Sequence, residues 1–227
     1  MKTGQARRHF GLDSALLAFG ERVDQVPQQL YYSDVNFSRK DTSFLRQGIR
    51  ASAYVHLAAA VEAQVYATTG ALAAEISAAN LSLADMRLSL FAVSSARSFT
   101  ALEQLRGLKN WERRCQFLDQ INSSDPVQID GAALSLGGRT IRPKHLDAVW
   151  RVFGLPGTSL PSPLHALALQ DVADSRNDVA HGNEKLSVVA GRKSPTDMLR
   201  LVTRIEEVGL HLFAMSTEYL DQMMYRR

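Results

Sequence analysis

LHALALQDVADSRNDVAHG, residues 164–182, reads as one helix that stops at a glycine. At about 100° per residue, His165, Ala168, Leu169, Val172, Val179 and Ala180 fall on one side, and Gln170, Asp171, Asp174 and Asp178 on the other. Gly182 follows as a left-handed stop. Arg176 interrupts this order, because it sits near the middle of the apolar side. A guanidinium there carries a large desolvation cost unless it is paired, snorkels outward, or lines a groove that an anion can enter.

The same period extends in both directions. Ser194 and Pro195 supply an N-cap and a first helical residue. Met198, Leu201, Val202, Ile205, Val208, Leu212, Met215 and Tyr219 then form one stripe, which is core rather than a cofactor box. Upstream, Leu146, Val149, Trp150 and Phe153 predict a short helix over residues 144–153, stopped by Gly154 and followed by a connector rich in proline and glycine. Trp111, Cys115 and Leu118 predict a helix over 109–122 with those three inward and Lys109, Arg113 and Arg114 exposed. Met86 to Leu105 predicts one helix ended by Gly107. Ser43 to Ala79 predicts a long helix with Phe44, Ala51, Val55, Ala58, Val65 and Tyr66 on one face. Glu62 lies on that face, and a carboxylate among small residues wants a cationic partner.

Residues 1–40 are expected to be a loose arm to Gly11 and a short helix, broken or restarted at Pro27. Residues 41–227 form the main helical domain. Between Ser123 and Pro143 the helical period fails. Asp125-Pro126, Asp130-Gly131 and Gly137-Gly138 bracket the alternations Val127/Ile129 and Leu134/Leu136, which predict an irregular or hairpin insertion near 125–142. Short connections between helices give an all-α antiparallel bundle.

Composition narrows the partners without naming one. The chain has 227 residues, 45% of them hydrophobic, and a formal charge of +3, which permits a nucleic-acid partner without requiring it. Cys115 is the single cysteine, so a disulfide within the chain and a multi-cysteine metal site are both excluded. His56, His145, His165 and His211 are too scattered to suggest a metal site, and no glycine-rich phosphate loop is present. No cofactor or metal is expected. The region Leu57–Leu72 is interrupted by Glu62 and Gln64 and falls short of a membrane span. With no apolar stretch after the basic N-terminal residues, the expectation is a soluble cytoplasmic protein.

Bottom-up, the focal helix leaves alternatives open. Arg176 could pair with Glu62 and lock two helices together. His181 could simply favour a helix C-terminus, or be oriented by Asp174 or Asp178, seven and three residues before it. The basic residues Arg139, Arg142, Lys144 and His145, and beyond the helix Arg192 and Lys193, could bind RNA or form solvated loops.

Arg176-Asn-Asp-Val-Ala-His181-Gly182, in the penultimate helix of an all-α chain, resembles the signature of the HEPN superfamily (higher eukaryotes and prokaryotes nucleotide-binding). That signature is an arginine, four to six residues, then a histidine, with a polar residue such as Asn177 commonly after the arginine. The layout over Ser43–Tyr225 is similar to the RiboL-PSP-HEPN type of bacterial conflict and toxin-like systems. The first forty residues are not covered.

The resemblance implies a metal-independent endoribonuclease acting as a homodimer, in a toxin or antiviral role. Arg176, Asn177 and His181 would be its catalytic residues, and Glu62, Asp174 and Asp178 would support them. The expected products are a 2′,3′-cyclic phosphate and a 5′-hydroxyl. Arg176 and His181 point about 140° apart on a straight helix, which favours a site shared between two copies. In HEPN toxins silenced by a nucleotidyltransferase, a tyrosine lies two residues after the histidine. Asn183 stands there, so the implied control is by a different antitoxin or operon-encoded partner. Two other readings are an inactive HEPN-like dimerisation or partner-binding module, and a nucleotide-sensing domain that uses Arg176 for a phosphate.

Overall fold

A computed structural model of the chain describes residues 8–104, 106–121, 123–131 and 140–227, except for the side chains of 97, 120 and 121. Among the described residues it is all-α, and it holds no strand beyond an isolated bridge between Met86 and Arg226. No helix of the described residues is long and apolar enough to cross a membrane.

α1 (Phe10–Asn36) buries Leu12, Ala15, Phe19, Val23, Val26, Leu30 and Ser33, a stripe spaced three and four residues apart. It is one helix of 27 residues, not the short broken one expected from Pro27. Proline removes a single backbone hydrogen bond, and the buried stripe continues past it on both sides. Of the loose arm expected to Gly11, residues 1–7 lie outside the described residues, and Phe10 and Gly11 belong to the helix. His9 is buried, with its ring nitrogens 3.4 Å from Glu75 and 3.2 Å from Asp221.

α2 (Ser43–Ala78) is the axis of the bundle. Its 36 residues span about 54 Å, and it packs against α1 and three later helices. Ala51, Ala53, Ala58, Ala60 and Ala73 are buried along it, so neighbouring backbones can come close on more than one side. The single face expected from the sequence is too narrow. Phe44 is exposed, whereas Tyr54, Leu57, Val61 and Leu72 carry the core.

The region after α2 differs from expectation. The helix predicted over 86–105 is two, α3 (Leu88–Ser94) and α4 (Ala96–Gln104). The break at Ser95 lets Phe91 and Phe99 both reach Phe117 of α5 (Leu108–Ile121), with ring centroids 4.9 and 5.1 Å from it. That cluster also rotates α5. Phe117 is buried, while Trp111, Cys115 and Leu118, expected inward, are exposed.

Val127 and Ile129 do not pair as strands. Their N–H groups donate to the Leu81 carbonyl and the Ser77 hydroxyl, each at 2.9 Å. The described part of the insertion is therefore irregular, and Leu134 and Leu136 lie outside the described residues.

α6 (Pro143–Phe153) buries Leu146, Val149, Trp150 and Phe153 as expected and ends at Gly154 with φ +71°. α7 (Pro163–His181) ends at Gly182 with φ +65°, whose N–H donates to Asp178 O. A six-residue helix, α8 (Leu186–Gly191), was not anticipated. α9 (Pro195–Asp221) starts where predicted, with the Ser194 hydroxyl accepting from Asp197 N–H at 3.1 Å. α7, α8 and α9 all pack on α2, and α1 closes the bundle against α9. A single buried cluster joins α1, α2, α6, α7 and α9.

Candidate functional site

The buried face of α7 consists of Ala168, Leu169, Val172, Ala173 and Ser175, and Val179 holds its last turn against the core while the turn's other side chains face outward. Arg176 and Asn177 are half-buried there, and Ala180 and His181 are exposed. The segment leading into α6 passes over this turn. Together they enclose a cavity of about 420 Å³, lined by Thr140, Arg142, Lys144 and His145 on one side and by Arg176, Asn177 and His181 on the other. Three of these seven residues are always cationic at neutral pH, and no carboxylate lines the cavity. An anion entering it meets three fixed positive charges and no carboxylate.

The Asn177 amide is held from two sides. Thr140 Oγ1 donates to Asn177 Oδ1 at 3.1 Å, and Arg176 Nη1 donates to the same oxygen at 3.2 Å. This fixes the carboxamide and leaves its Nδ2 hydrogens for a ligand. It also answers the desolvation problem of Arg176, which lines a groove open to an anion. Glu62 is not its partner: Arg176 and Glu62 make no ion pair, and Arg176 bonds only to Asn177 among the described residues.

The carboxylates expected to support His181 are engaged elsewhere. Asp174 meets Arg142 Nη1 at 2.6 Å and accepts from Gln170 at 2.9 Å, and Asp178 meets Arg192 Nη2 at 2.7 Å. Burial works against the Asp174 charge, but the hydrogen bonds from Gln170 and Arg142 and the charges of Arg142 and Arg192 outweigh it and lower its pKa. The hydrogen bond to Asp178 likewise raises the Arg192 pKa against the effect of burial. Both carboxylates are therefore committed to arginines. His181 has no hydrogen-bond or ion-pair partner among the described residues, and neither carboxylate orients it. His145 Nδ1 accepts from the Arg142 backbone N–H at 3.1 Å, so the neutral ring carries its proton on Nε2.

The basic residues divide between two places. Arg142 and Lys144 join the α7 motif, whereas Arg192 and Lys193 line a different cavity. Arg139 lies outside the described residues. Thr140 was missed by the sequence reading, since nothing local marks a threonine as the partner of an asparagine 37 residues away. Among the described residues no group of three or more His, Cys, Asp or Glu side chains is placed to hold a metal ion.

The angle between Arg176 and His181 has a different consequence from the one expected. Although about 140° apart on the wheel, both line one cavity of a single chain, because it wraps the last turn of α7 with Asn177 between them. In comparisons with protein-family models, curated proteins and solved structures, the chain matches none of them.

Proposed function

We propose that this protein is a metal-independent endoribonuclease of HEPN type. The observation that carries the reading is that Arg176, Asn177 and His181 line one cavity with Arg142 and Lys144, free of carboxylates. Histidine's ordinary pKa lies close enough to neutrality for it to exchange protons there. In the proposed step the His181 imidazole takes the proton of a ribose 2′-hydroxyl. The 2′-oxygen then attacks the adjacent phosphorus, and the bond to the 5′-oxygen breaks. Arg176 grips the phosphate through its planar fork and offsets the charge that builds on it. The departing 5′-oxygen needs a proton, and His181 of a second copy supplies it. The products are a 2′,3′-cyclic phosphate and a 5′-hydroxyl. The resemblance of the motif to HEPN toxins supports a toxin or antiviral role, with a separate antitoxin or operon-encoded protein restraining the enzyme.

The test is incubation of the purified protein with RNA in EDTA, beside His181→Ala and Arg176→Ala. Cleavage by the wild type, lost in both variants, is expected. Cleavage that survives both substitutions overturns the site, and cleavage that requires a divalent metal overturns the mechanism.

A further inference from the structure

A second cationic cavity lies on the other side of α7. It measures about 460 Å³ and is formed by Leu167, Ala168 and Asp171 of α7, Arg192 and Lys193 of the α8–α9 turn, and the first turns of α9. Arg200 and Arg204, one helical turn apart on α9, face it together with Asp197. The lining holds four cations and two carboxylates, and Arg192 is paired with Asp178, which does not line it. Lys193 binds Asp171 at 2.7 Å and Arg200 binds Asp197 at 3.0 Å. Arg204, half-buried, has no partner among the described residues. Leu167 adds an exposed apolar surface beside these charges.

The strip of α7 between the two cavities is its acidic face. Bare, that face would repel a polyanion. Each of its carboxylates is instead capped by a cation: Asp171 by Lys193, Asp178 by Arg192 and Asp174 by Arg142, all within 2.7 Å. The cations come from both flanking segments, so the ridge is neutralised from either side and no longer repels a polyanion. From Ala168 to Asn177 the helix rises about 14 Å, a distance covered by about four nucleotides of a helical strand.

We propose that a single RNA strand runs from the His181 cavity across this capped ridge and places a backbone phosphate between Arg200 and Arg204. The ribonuclease reading supplies the strand's starting point, so this inference rests on that reading. Arg200 and Arg204 hold the strand away from the scissile bond, and Leu167 offers a surface to a ribose or base.

The experiment uses the full chain carrying His181→Ala, which binds without cutting, with and without Arg200→Gln/Arg204→Gln. Fluorescence anisotropy follows a single strand of about ten nucleotides and a dinucleotide that reports on the His181 cavity alone. The double variant is expected to bind the longer strand roughly tenfold more weakly. Its slope of log affinity against log salt should fall by about 0.7, the value for one phosphate contact on a single strand. Dinucleotide binding stays unchanged, and Arg200→Lys/Arg204→Lys retains most of the affinity. Equal binding of the longer strand by parent and double variant overturns the proposal. So does displacement of inorganic phosphate from Arg204 without any effect on the strand, which makes the cavity a free-phosphate site. If the wild type cuts no RNA while the strand still depends on Arg200 and Arg204, the nuclease reading falls and the path stands. If it cuts RNA while strand binding ignores both arginines, the path falls and the nuclease stands.

Discussion

Thr140 Oγ1 donates to Asn177 Oδ1 at 3.1 Å, and this bond ties the segment entering α6 to the last turn of α7. It fixes the amide that also receives Arg176. Thr140→Val keeps the shape and removes the donor, at a cost of about 0.5–1.5 kcal/mol for a bond of this kind. The expected result is a fall in kcat of several-fold to tenfold with the fold intact, read by single-turnover RNA cleavage beside thermal unfolding. Thr140→Ser, which keeps the hydroxyl, should restore most of the rate. An unchanged rate in Thr140→Val would show that Asn177 needs no orientation.

The Arg142–Asp174 pair gives a pH-dependent signature. The Asp174 pKa is lowered in the folded chain, so its contribution to stability is present above the unfolded value, near 3.9. It is lost as pH falls through the folded value. Its side chain is half-exposed, so the contribution is small, below about 1 kcal/mol. Urea unfolding should find Asp174→Asn slightly less stable than wild type at neutral pH and equal to it in strong acid. A gap that widens on acidification would have the wrong sign for this pair.

Gly209 marks the crossing of α9 with α1 and α2. A Cβ there would strike the Phe19 ring and come within 2.5 Å of Gln64 Oε1. The Gln64 amide donates to the Gly209 carbonyl at 3.0 Å in a buried position. Gly209→Ala gains helix propensity but overpacks the crossing, for a net loss of about 1–3 kcal/mol. Chemical denaturation measures it, and a more stable variant would mean that the helices separate freely.

What the sequence made legible was local. The Ser194 cap, Pro195, the left-handed Gly154 and Gly182 and the α9 stripe each depend on a few neighbouring residues, and each lies where it was expected. The break at Ser95 and the rotation of α5 depend on Phe91, Phe99 and Phe117 meeting in space, which no period along one helix encodes. α8 is too short to show a period. At the site, Arg176, Asn177 and His181 were marked by their pattern, and Arg142 and Lys144 by their charge. That these groups share one cavity is a tertiary fact. So is the pairing of Asp174 and Asp178 with arginines rather than with His181, because a helical wheel shows the carboxylates and not the segments that fold over them.

The placing of Arg176 and His181 on one cavity sharpens the question of the homodimer. One chain already presents both residues, so the angle between them no longer requires a second copy. The chemistry still calls for a base and an acid, and His181 is the one cavity histidine without a partner among the described residues. If the acid comes from a second copy, a dimer needs both of its His181 residues, and a heterodimer of wild type with His181→Ala is inactive. Mixed under conditions that exchange subunits, the two chains should then cleave at a rate that falls as the square of the wild-type fraction. A rate that falls only in proportion to that fraction, in a solution where light scattering shows the dimer, would mean that each chain completes its own site and that the leaving oxygen takes its proton from within that chain or from water.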